Sequence, residues 1–303
     1  MSDIVEIASV AEFIQKLPKQ KRGFEFFYRG EAEDFGDTSN IPSIFRNKNL
    51  IEDEHNLFKD FIVRNPDEFQ NEKTTFQKLV KMQHYELPTR LLDVTSNSLI
   101  SLYFACKDST NQEDSYVYIF KVQEDDIKFY DSDIVDILSN IATAPLTWDK
   151  VQNIKMNQGL FSMYSKRISN LNNRLMQDKT YIDNDEYYLK IDEIQKSHNT
   201  LNLNNFNFGN YSAVEILGAI DKIVLVKPLL SNRRIIMQSG AFFLFGIGED
   251  LYTSLKLKPT YKMRIKASEK SKILADLERM GVSQDRIFPE MDKVAGYLKA
   301  KYS

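Results

Sequence analysis

The hydrophobic positions of this chain change period several times along its length. In SVAEFIQKL, Val10, Phe13, Ile14 and Leu17 recur at helical spacing behind a capping box, in which Ser9 caps the helix and Glu12 reaches back to the Ser9 amide. FEFFYRG is an aromatic run that reads as a strand, and it stops abruptly at Arg29-Gly30. Residues 52–65 and 67–85 read as two helices divided by Pro66, with Leu57, Phe58, Phe61 and Ile62 on one face and Phe76, Leu79, Val80 and Met82 on the other's. Pro88 stops the second helix and pushes Leu87 towards extended backbone. Thr95 or Ser96 is placed to cap a further helix with Leu99, Leu102, Tyr103 and Cys106 on one side. SYVYIFKV, residues 115–122, is a strand pattern.

After the acidic stretch Glu124 to Asp126 the pattern weakens, and residues 126–206, rich in Asn, Asp and Lys, are expected to form a mainly helical insertion. Strand signals return from 219 in AIDKIVLVKP, SGAFFLFG and TYKMRIKA, and the apolar Ile235, Ile236 and Met237 ahead of Gln238 also read as a strand. A helix from Ser268 carries Ile273, Leu274, Leu277 and Met280 on one face and ends at Gly281, and a last helix lies near MDKVAGYLKAKY. Strands at both ends with helices between them predict one α+β domain. Its mixed or antiparallel sheet draws on N- and C-terminal strands from 20–122 and 219–297, with helices packed on it.

Composition narrows the function classes. The 303 residues suffice for a full core, and 42% hydrophobic with 27% charged residues is ordinary for a folded protein. A net charge of −3 provides no global field for nucleic acid, so a dedicated DNA-binding role is disfavoured, although a local basic groove stays open. The single cysteine, Cys106, excludes an intramolecular disulfide framework and a Cys-rich zinc site, and its helical spacing marks it as a buried structural thiol. MSDIVEIASVAEF lacks the basic-then-apolar order of a signal peptide, and no apolar run approaches the roughly 20 residues of a membrane helix. A cytoplasmic protein with no membrane partner is expected.

Three segments concentrate polar chemistry. Arg29, fixed at a strand end, offers a planar fork for a phosphate or carboxylate, and equally for an acid of its own EAEDFGD segment, 31–37. QHYELPTRLLDVTSN, Gln83 to Asn97, gathers amide, imidazole, phenol, hydroxyl, guanidinium and carboxylate groups around one Pro. Gln83 and His84 fall on the last helical turn and point into the gap left by the Pro break. Thr89, Arg90 and Asp93 lie on the connector, where period-two alternation sets Leu91 on one face and Arg90 with Leu92 on the other. Singly, each has a bland reading: a satisfied His, or an Asp93 that pairs with Arg90 or caps a helix. In the third segment, the neutral amide of Gln238 suits a ribose, an amide or a base edge, or else completes a turn. Arg29, the 83–93 stretch and Gln238 are expected to converge on one cleft. The sequence has no G-x-x-x-x-G-K-[ST], H-E-x-x-H or G-x-S-x-G motif, and His55, His84 and His198 are too dispersed for a histidine-based metal site.

FYRGE, QHYELPTRLLDVTSNSLISLYFA, RRIIMQSGAFFLF and RIFPEMDKVAGYL, in that order, resemble the FRG domain, named for its Phe/Tyr-Arg-Gly signature. Glu86 stands where that family usually has Gly. The family occurs mostly in bacteria and their phages, sometimes in toxin or antiviral-defence settings. A more distant resemblance is to ADP-ribosyltransferases with an Arg–Ser–Glu constellation, whose first strand also ends in Arg. It implies that Arg29 holds NAD phosphate or ribose groups, with Thr89 or Thr95-Ser96 as the bracing element and Gln238 where a Glu would stand. A glutamine bonds a ribose hydroxyl but cannot stabilise an oxocarbenium ion by charge, which leaves Glu31, Glu86 or Asp93 as the acid. The resemblance thus implies an ADP-ribosyltransferase-like or NAD glycohydrolase enzyme, with NAD as substrate rather than tightly bound cofactor and a protein or nucleic acid as target. Arg29, His84, Asp93 and Gln238 would do the chemistry, and Tyr28, Gln83, Tyr85, Thr89, Arg90 and Thr95 would join Arg29 around the nucleotide. The alternative is a nucleotide-sensing or protein-interaction module that uses the same pocket without chemistry.

Overall fold

The computed structural model describes residues 4–145 except 109 and 111, residues 152, 156 and 159, and residues 211–302 except 212 and 250–253. Its strands are β1 (Val5–Ile7), β2 (Phe24–Glu31), β3 (Leu91–Thr95), β4 (Ser115–Gln123), β5 (Lys128–Phe129), β6 (Ile223–Lys227), β7 (Gly240–Phe245) and β8 (Tyr261–Ile265). They form one mixed sheet in the order β1-β8-β4-β2-β3-β7-β6-β5. The expected α+β fold, with one sheet uniting strands from both ends of the chain, is what the structure contains. The β1–β8 and β5–β6 pairs are parallel and the others antiparallel. The described helices are α1 (Val10–Lys16), α2 (Lys48–Glu52), α3 (Glu54–Arg64), α4 (Thr75–His84), α5 (Ser98–Cys106), α6 (Asp133–Asn140), α7 (Ala213–Ala219), α8 (Arg233–Met237), α9 (Lys270–Arg279), α10 (Gln284–Ile287) and α11 (Met291–Tyr302).

The sheet is nearly two sheets. β2 pairs with β4 along its whole length, Phe24–Gln123 to Glu31–Tyr116, whereas β2 and β3 share a single register pair, Tyr28 with Thr95. On one face each half has its own helical cover. Leu102 and Tyr103 of α5 pack with Phe26, Val117 and Ile265, and Leu79 and Met82 of α4 pack with Leu91, Phe242 and Leu244. On the opposite face one cluster crosses the seam, with Phe27 and Phe120 against Leu92, Val94 and Phe243. Each of these fully buried side chains contributes about 1.5–3 kcal/mol relative to exposure.

Gly30 explains why the aromatic strand ends in Arg-Gly. A Cβ at this position would sit 1.9 Å from the Ser101 carbonyl oxygen and 2.5 Å from the Ala105 nitrogen, so only glycine lets α5 lie this close to β2. Cys106 on the same helix is fully buried, and burial pushes its thiol up to about 12, as a structural role requires.

Several local expectations are corrected. The 126–206 insertion cannot begin at 126, because β5 pairs with β6, and Val135, Ile137 and Leu138 of α6 are core residues. Two strand residues are too few to carry a period, whereas α6 does carry an apolar face (Ile134, Val135, Ile137 and Leu138) that its Asp- and Asn-rich surroundings mask. Apart from 152, 156 and 159, the stretch from 146 to 206 lies outside the described residues. Residues 233–237 are helix rather than strand: Asn232 caps them by accepting from the Arg234 amide at 2.8 Å, and five apolar-rich residues carry too little period to separate the two states. α4 starts only at Thr75, behind a Thr74–Gln77 capping box, and Asn97 rather than Thr95 or Ser96 caps α5. Glu12 reaches the Ala8 amide, not that of Ser9, at 2.8 Å. Among the described residues no helix is long and apolar enough to cross a membrane.

Candidate functional site

Beyond the Tyr28–Thr95 pair β2 and β3 separate, and a cleft of about 410 Å³ opens between them. Arg29 spans the opening. Its Nη1 donates to the Asp93 carbonyl at 2.9 Å, replacing ladder bonds the two strands do not make. Its Nε donates to Glu31 Oε1 at 3.0 Å, and that buried carboxylate also accepts from the Asn40 amide at 3.1 Å. Arg29 therefore both lines the cleft and pairs with an acid of its own segment.

One wall is the end of α4, closed by a Schellman turn. The Leu87 amide bonds the Met82 carbonyl and the Glu86 amide bonds the Gln83 carbonyl, with Glu86 left-handed at φ 64°. α9 ends the same way with Gly281 at φ 83°, the residue this geometry prefers. The turn presents Gln83 and His84 to the cleft. Gln83 Nε2 donates to Asp93 Oδ2 at 2.7 Å, and its Oε1 accepts from the Thr89 hydroxyl at 2.7 Å. An ionised carboxylate only accepts, so this chain fixes the amide orientation and aims Asp93. Burial, with help from Arg234, holds His84 below its ordinary 6.5, so its imidazole is neutral at pH 7.

The far wall is α8 and the start of β7. Gln238 donates Nε2 to the Ile287 carbonyl at 3.2 Å, and its own carbonyl accepts from the Thr95 hydroxyl at 2.6 Å. Ser239, at φ 46°, then turns the chain into β7, where Gly240 pairs with Thr95.

Tyr28, Arg29, Gln83, His84, Asp93, Thr95 and Gln238 thus border one cleft, and Thr89 acts on it through Gln83. Two expected residues do not. Tyr85 is exposed and turns its hydroxyl to Glu68 at 3.4 Å. Arg90 is 1% exposed, bonds Glu54 Oε2 at 2.7 and 2.6 Å and the Gly246 carbonyl at 3.1 Å, and lies over the Phe45 ring. Strand alternation sends Arg90 with Leu92 to the opposite face of the sheet, so it is a buried structural ion pair.

Three cations escaped the sequence reading: Arg46, Lys107 and Arg234. Arg46 donates to the Ile41 carbonyl, Lys107 sits over the Phe104 ring, and Arg234 sits over the Phe288 ring, 3.9 Å from Glu290. Burial lowers the Lys107 ammonium, and the Arg234 and Arg29 charges lower it further; burial and Arg29 act likewise on Arg46. The cations repel one another, which makes an anion welcome among them. Only Arg234 stood in a segment already singled out. Nothing in the local pattern around Arg46 or Lys107 marks them, because they meet the cleft through tertiary packing.

No curated protein and no solved structure matches the chain. A family model described as the FRG domain matches residues 24–114, a span that opens with β2 and ends just before β4. That span holds Arg29, the end of α4, Asp93 and α5, the greater part of the cleft's lining, while α8 and Gln238 lie beyond it. Through residues 24–114 the chain carries an FRG domain.

Proposed function

We propose that the cleft binds an anionic nucleotide, NAD foremost, and cleaves its nicotinamide–ribose bond. The observation that carries this reading is the convergence of Arg29, Arg46, Lys107 and Arg234 on one cleft that also holds the Asp93 carboxylate, aimed by Gln83. Guanidinium and ammonium groups are the natural partners of a pyrophosphate. The amide of Gln238 suits a ribose hydroxyl.

As the C1′–N bond breaks, its electron pair goes to the nicotinamide nitrogen and the sugar becomes oxocarbenium-like. The Asp93 carboxylate stabilises that positive charge. Water then forms the C1′–O bond and gives its proton to the neutral imidazole of His84. With a macromolecular nucleophile in place of water, the same steps transfer ADP-ribose.

Arg29 is a poor probe, because removing it also orphans the buried Glu31. Lys107→Ala is cleaner and should weaken NAD binding about tenfold, the loss of one charge-assisted contact. Asp93→Asn should bind NAD as wild type does yet release nicotinamide at least about 100-fold more slowly. NAD binding is read by calorimetry and nicotinamide release by chromatography, with and without cell extract. No binding and no release under either condition overturns the proposal. Binding without release selects the sensing-module reading, which the neutral Gln238 favours.

A further inference from the structure

The opposite end of β2 carries a second concavity, of about 210 Å³. It is a corner of the helix-covered face that no described helix covers, because α1 stops at its edge with Lys16, before Pro18. Register partners share a face, so Phe26 brings Lys121 to this corner, and Ile119 brings Tyr261. Phe26 and Met263 form the floor, and Tyr261, 42% exposed, stands over it.

The rim is Lys16, Lys19, Lys21 and Lys121, and among the described residues no acid lines it. Lys16 is engaged by Glu12, whereas Lys19, Lys21 and Lys121 make no ion pair with a described residue. Lys21 and Lys121 converge on one ring, with their Nζ atoms 5.4 and 3.9 Å from the Phe24 centroid. Like charges gathered this closely, with no described acid between them, favour a bound anion. An exposed aromatic beside them favours an anion with a flat face.

We propose that this corner binds single-stranded nucleic acid, with the lysines on successive phosphates and Tyr261 stacked on one base. A duplex hides its base faces and could not use Tyr261. The chain's net charge of −3 makes this a local and strongly salt-dependent site.

The test is anisotropy of a labelled mixed-sequence single-stranded DNA of about 12 nucleotides with the full chain. Three lysine–phosphate contacts, from Lys19, Lys21 and Lys121, at a slope of about −0.7 each predict a loss of affinity of about twentyfold between about 50 and 200 mM salt. Lys21→Gln combined with Lys121→Gln should weaken binding and reduce that salt effect to about threefold. Tyr261→Ala should weaken binding at least about fivefold, the lower end of a stacking contact. The proposal is overturned if the wild type does not bind, if the double lysine variant or Tyr261→Ala binds as tightly as wild type, or if a duplex of equal length binds as well as the single strand.

Discussion

Replacing Arg90 with Met tests the most consequential assignment in the structure. Arg90 is 1% exposed, and three of its nitrogens are bonded, two to Glu54 Oε2 and one to the Gly246 carbonyl. Methionine fills much of the same volume but leaves Glu54, itself 6% exposed, without a partner in the interior. Burial already raises the Glu54 carboxyl above 4.5 while Arg90 pulls it back, so without Arg90 the group takes up a proton on folding. Removing one partner of a buried pair costs about 3 kcal/mol, the lower end of the usual range, and the cost is smaller at pH 5.5 than at pH 7 because the unfolded chain then gives up less to bind the proton. The lost bond to Gly246 adds about 1 kcal/mol. The total is about 4 kcal/mol at neutral pH, a large part of a typical domain stability of about 5–15 kcal/mol. Urea denaturation at pH 7 and at pH 5.5 reads the cost and the direction in which it changes. Adding Glu54→Leu should recover most of the loss, since a buried pair replaced by apolar groups is often neutral. NAD affinity of the folded Arg90→Met variant should stay at the wild-type value, because Arg90 faces away from the cleft. A cost below about 1 kcal/mol, or one that grows as pH falls, refutes the buried-pair account. A tenfold loss of affinity with stability intact would return Arg90 to the cleft.

Two further outcomes are expected. Glu86→Gly should stabilise the protein by about 0.5–1 kcal/mol, the left-handed strain relieved less the added freedom of the unfolded chain, visible as a higher melting midpoint. Because His84 is held below 6.5 in the fold, it contributes stability that is present above pH 6.5 and lost as the pH falls. His84→Gln should therefore lose stability less steeply than wild type between pH 7 and about pH 5 in parallel denaturation curves.

The sheet was legible where strands are long or strongly apolar. FEFFYRG, SYVYIFKV and the three C-terminal runs all form strands, with the bounds shifted by a residue or more. β1 escaped notice because three edge residues carry almost no period, and α6 was hidden within an Asp- and Asn-rich stretch. The clustering of Arg29, Gln83, His84, Asp93 and Gln238 was legible because polar groups massed between strong core segments need a common outlet. The separate fates of Tyr85 and Arg90 were not, although alternation had already set Arg90 beside Leu92. Which face becomes cleft and which becomes core depends on where α4 and the Phe45 segment pack, and that is a long-range outcome.

The single hydrogen-bonded pair between β2 and β3 gives the sheet the layout of an open book. The cluster of Phe27, Phe120, Leu92 and Phe243 is its spine, and the cleft lies in the gutter. Arg29 sits on one page and Asp93 on the facing one, so a molecule held by both is a bookmark gripped from two sides. The free energy that such a molecule draws from gripping both pages is also energy against their parting. Backbone amides along the gutter, at Arg29 to Glu31 and Leu91 to Asp93, are then where occupancy would be written as slowed hydrogen exchange, while the outer pages keep the rates of the empty protein.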